Sequence, residues 1–404
     1  MSDPNPSTRL LPNERRVLII LAVINFTHIL DFMVMMPLGP QLKRVFDVDP
    51  QQWSIIVSSY TTAAFFSALL SVFFLDYFDR KKALVFLYGG FLIATFLVGL
   101  SSSYEMLVGT RALAGLFGGV INAVILSIVG DMIPFERRGT AMGIVSAGFS
   151  AAASVGVPIG MYFGTAYSWK FPFFAIAIAG VAVWFFAGKM IPPLREHLKA
   201  ENQHKPREGL MAMLKDRNQI YAMVFLVLLL FGQFSIIPFI SPFMVSNVGF
   251  TEMEVTYIYA VGGTLSIFAF PFIGRLADRY GKVKVFTILA YLSLFPIFII
   301  TNLSETPIWI VLIISASFFA FAGGRFIPAN AMIISTAIPK YRGSFMSIRS
   351  SVQSGAQSLS ALIAGYLVVE NEGGFYEYYW QVGLVAIVCS LLSIAVIRKI
   401  KATY

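Results

Sequence analysis

Residues 219–245, QIYAMVFLVLLLFGQFSIIPFISPFMV, decide the fold class of this chain. The stretch is apolar on all sides and exceeds the ~20 residues that a helix needs to cross the hydrocarbon core of a bilayer. A strand of a membrane barrel would instead alternate apolar and polar residues over about 10 positions. The stretch is therefore predicted to be a transmembrane α-helix.

Similar apolar runs occupy nearly all of the remaining sequence, so we predict an all-α membrane protein with twelve transmembrane helices. The other spans are placed at 17–40, 52–75, 83–101, 105–130, 139–164, 169–191, 254–275, 284–302, 307–335, 344–369 and 375–397. One long polar connection divides six spans from six. The expected units are an N-terminal tail at 1–16, six-helix bundles at 17–191 and 219–397, a linker at 192–218 and a C-terminal tail at 398–404.

The composition agrees with a chain that lies almost wholly in a membrane. Of the 404 residues, 57% are hydrophobic and 13% are charged, and the mean hydropathy is +0.75. If both termini are cytoplasmic, the outer loops carry only Lys43, Arg44 and Lys170 as basic residues, which is the positive-inside pattern. The net charge of +9 then reports topology and gives no support to a nucleic-acid partner. We expect a plasma-membrane protein of the bacterial inner-membrane kind.

The N-terminal segment and the single cysteine further limit the class of membrane protein that the sequence predicts. The polar segment SDPNPSTRLLPNERR is interpreted as an uncleaved cytoplasmic tail, since the apolar run after it is too long for a signal-peptide core. Cys389 stands alone, which excludes an internal disulfide and a cysteine-based metal site. No metal site is expected elsewhere, because His28, Asp31 and the nearby methionines do not gather on one face.

The two halves share short repeated sequences. Residues 72–82, VFFLDYFDRKK, superpose on 274–284, GRLADRYGKVK, at a shift of 202 (274 − 72). Residues 133–139, IPFERRG, are echoed by IPKYRG at 338–343, each after a double glycine. Duplicated halves around a central substrate site are typical of secondary transporters.

The acidic and basic turns that follow the second and eighth spans resemble the signature loop of the major facilitator superfamily, and the resemblance covers the whole chain. It implies the major facilitator fold, with a loop acid that caps a neighbouring helix and pairs with basic residues to latch one access state. The matching latch residues are Asp76, Arg80, Lys81, Asp278, Arg279 and Lys282. Val72 and Asp79 stand where the family favours glycine.

Two further stretches resemble the twelve-span drug:proton antiporter branch of that superfamily. Residues 154–164, SVGVPIGMYFG, are similar to its antiporter motif, and RALAGLFGG at 111–119 is similar to the basic motif implicated in proton coupling. Small residues in the fifth span recur every four positions, which predicts a face for close helix approach, with plain tight packing as the alternative role. The recurring residues are Gly148, Ala152, Gly156, Gly160 and Gly164, and Pro158 adds to the same face.

Three residues form the predicted proton-coupling site. Asp31 is the one carboxylate that we place near the membrane centre, where a charge is costly and therefore a functional candidate. Arg111 lies about 6 Å from it in depth at 1.5 Å per residue, a gap that an arginine side chain bridges. His28 lies one turn before Asp31 and titrates near neutrality when unperturbed. A static ion pair that holds two helices together is the alternative to coupling.

Polar side chains elsewhere in the spans are the predicted substrate contacts. They are Asn25, Asn122, Gln233, Arg325, Asn330 and Gln357. The shift of 202 places Gln233 opposite Asp31, which suggests one principal proton site. The embedded charges lean positive and suit an anionic or zwitterionic solute, whereas the 38 phenylalanines equally suit a lipophilic one.

These features predict a secondary active transporter that exports a small amphipathic or organic solute by proton-coupled antiport through alternating access. A proton-coupled uptake symporter, a facilitative transporter of a lipid-like amphiphile and a non-transporting sensor remain alternatives. The sequence has no HExxH, GxSxG or nucleotide-binding loop, so an enzyme is not expected. The expected partners are the solute, protons and the lipid bilayer, with the proton gradient in place of a cofactor and a monomer as the working unit.

Overall fold

The computed structural model describes residues 10–195, 198, 206–338 and 342–401, and these residues form seventeen α-helices and one pair of short strands. The helices of the first half are α1 (Pro12–Val34), α2 (Gly39–Phe46), α3 (Pro50–Phe74), α4 (Arg80–Leu100), α5 (Tyr104–Met132), α6 (Phe135–Ala151), α7 (Val157–Ala166) and α8 (Phe171–Met190). The second half contains α9 (Pro206–Lys215), α10 (Arg217–Phe234), α11 (Ile237–Ser246), α12 (Glu252–Tyr280), α13 (Lys282–Ile300), α14 (Ile308–Phe318), α15 (Phe326–Ile334), α16 (Arg342–Leu367) and α17 (Tyr379–Ile397).

Eleven helical segments of the described chain are long and apolar enough to cross a membrane. Three of them join consecutive elements through a break, namely Thr140–Ala166, Arg217–Ser246 and Ile308–Ile334. The helix at the predicted eleventh span, α16, has the length of a span, but its serines and glutamines keep it below that hydropathy. The fold class is confirmed, whereas the count of twelve rests on this polar helix.

Element boundaries differ from the predicted ones where local capping overrides hydropathy. Helix α1 begins at Pro12 inside the predicted tail, because the Glu14 carboxylate accepts a hydrogen bond from the Leu11 amide at 2.8 Å. Helix α9 lies inside the predicted linker. Strands β1 (Val369–Glu370) and β2 (Tyr376–Glu377) pair before α17.

Two spans contain a π-helical turn. The turns are Ala152–Gly156, between α6 and α7, and Phe319–Gly323, between α14 and α15. Pro158 follows the first turn directly and removes a backbone donor there. Such turns insert an extra residue into the helix and are frequent at functional sites.

Both described ends of the chain lie at one end of the bundle, which we call the terminal face. There Arg137 pairs with Glu14 at 3.1 Å, and Asn218 donates a hydrogen bond to the Lys401 carbonyl at 2.8 Å. The opposite end is called the distal face. The predicted orientation makes the terminal face cytoplasmic.

Helices α3 and α16 form the main contact between the two halves. They run antiparallel, so that the Thr62 and Ser358 hydroxyls lie 2.6 Å apart and the Ser351 hydroxyl donates to the Phe65 carbonyl at 3.1 Å. Nearer the distal face, Gly365 lies directly against Ser54. Small side chains therefore let these two helices approach along most of their length.

The distal face also ties the halves together by ion pairs and hydrogen bonds. Lys43 pairs with Glu370 at 2.5 Å, and Arg44 pairs with Glu252. In the interior beneath them, the Trp53 indole donates to the Pro238 carbonyl at 2.9 Å. These contacts close the distal end of the interface between the halves.

The predicted glycine face packs against the first span. A side-chain carbon at Gly148 would collide with the Ala22 carbonyl oxygen of α1, and carbons at Gly160 and Gly164 would press on Val34 and Leu38. Gly156 faces Leu30 and Phe26 in the same way. The glycines thus set the distance between the first and fifth spans.

We expect Gly148→Ala to destabilise the protein, because the added carbon meets backbone that cannot move aside, and overpacking of this kind costs about 1–3 kcal/mol. Gly143→Ala in the same helix is the matched control, since it has open space around it and should be neutral or slightly stabilising. Thermal unfolding in detergent would measure both. Equal melting temperatures for the two variants would contradict the predicted role of the face.

Candidate functional site

A buried ion pair joins the first and fourth spans. An Oδ2–Nη1 distance of 2.8 Å separates Asp31 on α1 from Arg111 on α5, and both residues are 0% exposed. The remaining carboxylate oxygen, Asp31 Oδ1, has no hydrogen-bond partner, and neither does Arg111 Nε. The Thr95 hydroxyl lies near the carboxylate without a hydrogen bond of normal geometry. The structure thus brings together the two residues predicted to pair.

Tyr60 of α3 completes this cluster, although no sequence pattern singled it out. The Arg111 guanidinium lies over the Tyr60 ring, 4.6 Å from its centroid, so the cation contacts the face of the ring. The Tyr60 hydroxyl is buried without a partner and lies against Gly118 of α5. A side chain at position 118 would fill this space, so Gly118 of the RALAGLFGG stretch leaves the room that the Tyr60 side chain occupies.

His28 lies at the other side of Tyr60. Its ring centroid is 6.3 Å from that of Tyr60 and 5.6 Å from that of Phe91, and both of its ring nitrogens are buried without a hydrogen-bond partner. Buried polar atoms are normally satisfied by protein or by water. Asp31, Arg111, Tyr60 and His28 therefore form one cluster whose hydrogen-bonding capacity is only partly used.

The predicted substrate contacts do not form one cluster. Asn25 donates to the Val145 carbonyl at 3.1 Å and so faces the fifth span. Gln233 is buried with its side-chain oxygen unpartnered, next to Phe234, whose ring lies 6.2 Å from that of Phe32 across the two halves. Asn122 is partly buried on the face of α5 that carries Gly118, one turn further along.

Arg325 lies wholly inside the second half. Its Nη1 donates to the hydroxyls of Ser293 at 3.2 Å and Ser390 at 2.8 Å, and its Nη2 donates to the Gly232 carbonyl at 2.8 Å. These acceptors belong to α13, α17 and α10. The side chain therefore holds three helices together through neutral oxygens.

Asn330 and Gln357 lie on neighbouring helices of the second half. Asn330 Oδ1 accepts a 2.6 Å hydrogen bond from Arg349 Nη2, which links α15 to α16. Gln357 is 9% exposed, two turns beyond Arg349 on α16. The hydrogen bond to Asn330 turns Arg349 inward, away from the terminal face.

The sequence matches the family model of the Major Facilitator Superfamily over residues 21–288 and 222–403, which together cover most of the chain. The chain belongs to the Major Facilitator Superfamily. It is therefore a membrane transporter and not an enzyme, as predicted.

Relatives of this transporter agree with the family assignment. The uncharacterized MFS-type transporter YwfA of Bacillus subtilis is 24% identical over 83% of this chain and 82% of its own length. A chloramphenicol resistance protein of Streptomyces lividans is 23% identical over 84% of this chain and 85% of its own length. The vacuolar membrane amino acid uptake transporter fnx2 of Schizosaccharomyces pombe is 40% identical, but over only 28% of this chain and 20% of fnx2.

Solved transporters share the fold. The inward-facing, unoccupied structure of a bacterial homologue of the human lysosomal transporter Spinster has a TM-score of 0.70 at 15% identity, covering 96% of this chain and 97% of its own. The nucleoside transporter NupG has a TM-score of 0.71 at 15% identity, covering 96% and 99%. At these identities the likeness supports the fold alone.

The first latch loop of this transporter is anchored by Asp79, the residue that replaces the family's glycine. Its carboxylate accepts hydrogen bonds from the Lys81 and Lys82 amides at 2.9 and 3.4 Å and from Arg195 Nε at 2.8 Å. Arg80 is buried beside it, with a 3.4 Å contact to Asp131 at the end of α5. The side chain of Asp76 lies outside the described part of the structure. An aspartate directly before a basic helix start is the signal that could have identified Asp79.

The second latch loop is more open. Asp278 and Arg279 are exposed and Lys282 is partly buried, and none of the three forms an ion pair with another described residue. Gly281, with a φ of 94°, joins α12 to α13 in a conformation that favours glycine. The two loops therefore differ: contacts of Asp79 and Arg80 tie neighbouring segments together at the first loop, whereas the second has no comparable ion pair among the described residues.

We expect removal of Arg111 to cost more stability than removal of the whole pair. Arg111→Gln leaves a buried, uncompensated carboxylate, a loss of about 3–5 kcal/mol, whereas Asp31→Asn with Arg111→Gln leaves no charge. Thermal unfolding of the two single variants and the double variant in detergent would give the coupling. Additive effects would show that the pair contributes no interaction energy.

The charge of Asp79 should stabilise the terminal face at neutral pH and lose this effect in strong acid. Burial raises the pKa of its carboxyl, but the hydrogen bonds from Arg195 and the two amides outweigh this and hold the pKa below its usual value. The stabilisation is therefore present above the ordinary carboxyl range and is lost as pH falls through the lowered pKa.

Asp79→Asn keeps an N-cap side chain and removes the charge. We expect it to melt below wild type at pH 7 and to approach wild type as the pH is lowered to about 3. A difference that does not change with pH would assign the effect to packing.

Proposed function

We propose that this major facilitator transporter exports a small amphipathic or organic solute by proton-coupled antiport, with Asp31 as the proton carrier. The observation that supports this most strongly is the wholly buried Asp31–Arg111 pair, which spans two helices and leaves Asp31 Oδ1 unpartnered. A structural ion pair would gain most from full hydrogen bonding, so the unused capacity favours a site that exchanges its ligands.

The geometry suggests how protonation and helix movement are coupled. While α1 and α5 stay together, Arg111 neutralises the Asp31 carboxylate. A movement that parts them leaves a buried carboxylate, and binding a proton removes its charge. The freed guanidinium, held over the Tyr60 ring, can then receive a polar group of the solute.

The small-residue contacts describe where the movement could occur. In alternating access one half rocks against the other around a central site. Two close contacts between the halves have no large side chains that would block rocking. In the α3–α16 interface Gly365 lies against Ser54, and elsewhere Gly263 of α12 lies against Ser154. The distal ion pairs Lys43–Glu370 and Arg44–Glu252 would break when that face opens.

Export is favoured by the similarity to the chloramphenicol resistance protein of Streptomyces lividans, which covers most of both chains. Proton-coupled uptake is the second candidate, favoured by the amino acid uptake transporter fnx2, whose match is stronger in identity but short. The location of the protein in a bacterial inner membrane, with cytoplasmic termini, and its action as a monomer are part of the same proposal.

Proteoliposomes with a pH-sensitive dye in the lumen distinguish these functions. A solute added outside enters down its gradient, so antiport drives protons out and the lumen becomes alkaline, whereas symport makes the lumen acidic. A facilitative transporter leaves the luminal pH unchanged. Chloramphenicol, amino acids and nucleosides are the first solutes to add, because relatives or fold neighbours carry those names.

We expect luminal alkalinisation in wild type and a loss to the protein-free background in Asp31→Asn, because the amide cannot carry the proton. Glu305→Gln is the matched control, since Glu305 is an exposed acid in a distal loop and its loss should leave the flux unchanged. Wild-type proton flux in Asp31→Asn would reject Asp31 as the carrier. Acidification would reject export in favour of uptake.

A further inference from the structure

Arg349 of α16 is an inward-turned cation without an acidic partner. Its Nη2 donates to Asn330 Oδ1 at 2.6 Å, while its Nε is buried and unpartnered. No ion pair among the described residues includes Arg349. A guanidinium has five N–H donors, so the single hydrogen bond leaves most of them free.

The position of Arg349 on its helix directs it away from α3 and from lipid. Arg349, Gln353 and Gln357 are spaced by four residues and share one face of α16. A second face carries Ser351 and Ser358, which bond to α3.

A third face is exposed where lipid would lie. It carries Leu359, 56% exposed, and Tyr366, 77% exposed. The remaining stripe of an arginine and two glutamines therefore points away from both α3 and lipid, into the interior of the bundle.

The Thr62–Ser358 contact gives the depth of this stripe. Thr62 is half a turn beyond Tyr60, so Ser358 and Gln357 lie near the level of the Asp31 cluster. Arg349 is nine positions earlier (358 − 349), about 13 Å closer to the terminal face. A solute that crosses the bundle would thus meet Arg349 and the Asp31 cluster at different depths.

The charge balance of the interior decides which solute is attracted. Away from the terminal ends of the described spans, the buried charges are Asp31, Arg111 and Arg325, and Arg349 is partly buried; only Asp31 and Arg111 neutralise each other. Arg325 is already occupied by three neutral oxygens. Two uncompensated positive charges in a medium of low dielectric favour an anion and repel a cation.

We propose that Arg349 and Asn330 form an anion subsite that binds the carboxylate, sulfonate or phosphate group of an amphipathic solute. The free edge of the guanidinium would bind two anion oxygens, as arginine forks do, and the Asn330 amide nitrogen would supply a further donor. The stacked rings of Phe32 and Phe234 provide an apolar surface in the same interior. The subsite names the substrate class of the proposed exporter and rests on that function for its role in transport.

Equilibrium binding to the purified full-length protein in phosphatidylcholine nanodiscs tests the subsite without a proton gradient. The probes are four ligands with one eight-carbon chain: octanoate, octyl phosphate, octanamide and octyltrimethylammonium. We expect the two anions to bind at least ten-fold more tightly than the amide and the ammonium, as measured by isothermal titration calorimetry. Equal affinity for octanoate and octanamide, or no binding of either anion, would overturn the proposal.

Three variants assign the anion preference to these residues. Arg349→Gln should lose it, Arg349→Lys should keep part of it because the charge remains without the fork, and Asn330→Asp should lose it because the new carboxylate occupies the guanidinium. Asn330→Asp keeps α15 and α16 tied, so its failure to bind is not a failure to fold. Arg398→Gln, at an exposed arginine after α17, is the control and should bind like wild type. Wild-type anion affinity in Arg349→Gln would exclude the site.

Anionic lipid has the same chemistry as these probes, and the bilayer composition distinguishes the two sources. If phosphatidylglycerol in the nanodisc weakens octyl phosphate binding, the subsite takes a lipid headgroup, and if it does not, the subsite takes a free solute. Anion binding that persists without any coupled proton flux would reject the antiport mechanism and keep the subsite. Coupled proton flux in a protein that shows no preference for the anionic probes would reject the subsite and keep the antiport mechanism.

Discussion

The absence of water in the bilayer core is the constraint on which the rest of this structure depends. Every backbone polar group in the core must find an internal partner, so the chain crosses as helices. The same constraint applies to side chains. Asp31 is tolerated because Arg111 neutralises it, and Arg325 is tolerated because three oxygens from three helices accept its hydrogen bonds. Each buried charge thus also becomes a tie between helices.

Small residues decide how closely those helices approach. Without a hydrophobic driving force between helices in lipid, packing depends on close contact. Gly148 meets the backbone of α1, and Gly118 leaves room for the Tyr60 hydroxyl and the His28 ring. The cluster of Asp31, Arg111, Tyr60 and His28 therefore depends on a glycine as much as on its titratable residues. Where the halves meet, the short side chains of α3 and α16 allow contact without interlocking.

The two halves share a fold but not a distribution of charge. The first half neutralises its interior charge in one ion pair, and its latch loop is held by Asp79, Arg195 and Arg80. The second half keeps two interior arginines with neutral partners and an open loop at Asp278. The proposed division between proton coupling in the first half and solute binding in the second fits that asymmetry.

The sequence by itself determined the fold class, the family and the residues of the ion pair. A long apolar run crosses a bilayer as a helix. A lone carboxylate and an arginine in two such helices carry a large free-energy cost of burial unless they pair with each other. It also marked the glycines of the fifth span, because their spacing places them on one helix face. These features are local or periodic, so they can be recognised in the linear sequence.

Only the tertiary structure decided which polar residues meet. Tyr60 joined the cluster because α3 and α5 pack through Gly118, and Arg349 turned to Asn330 because α15 lies beside α16. Asn25 and Arg325 were drawn into helix packing by carbonyl and hydroxyl groups on distant segments. A buried donor binds whichever acceptor the helix arrangement brings within 3 Å or so, and that arrangement depends on the whole bundle.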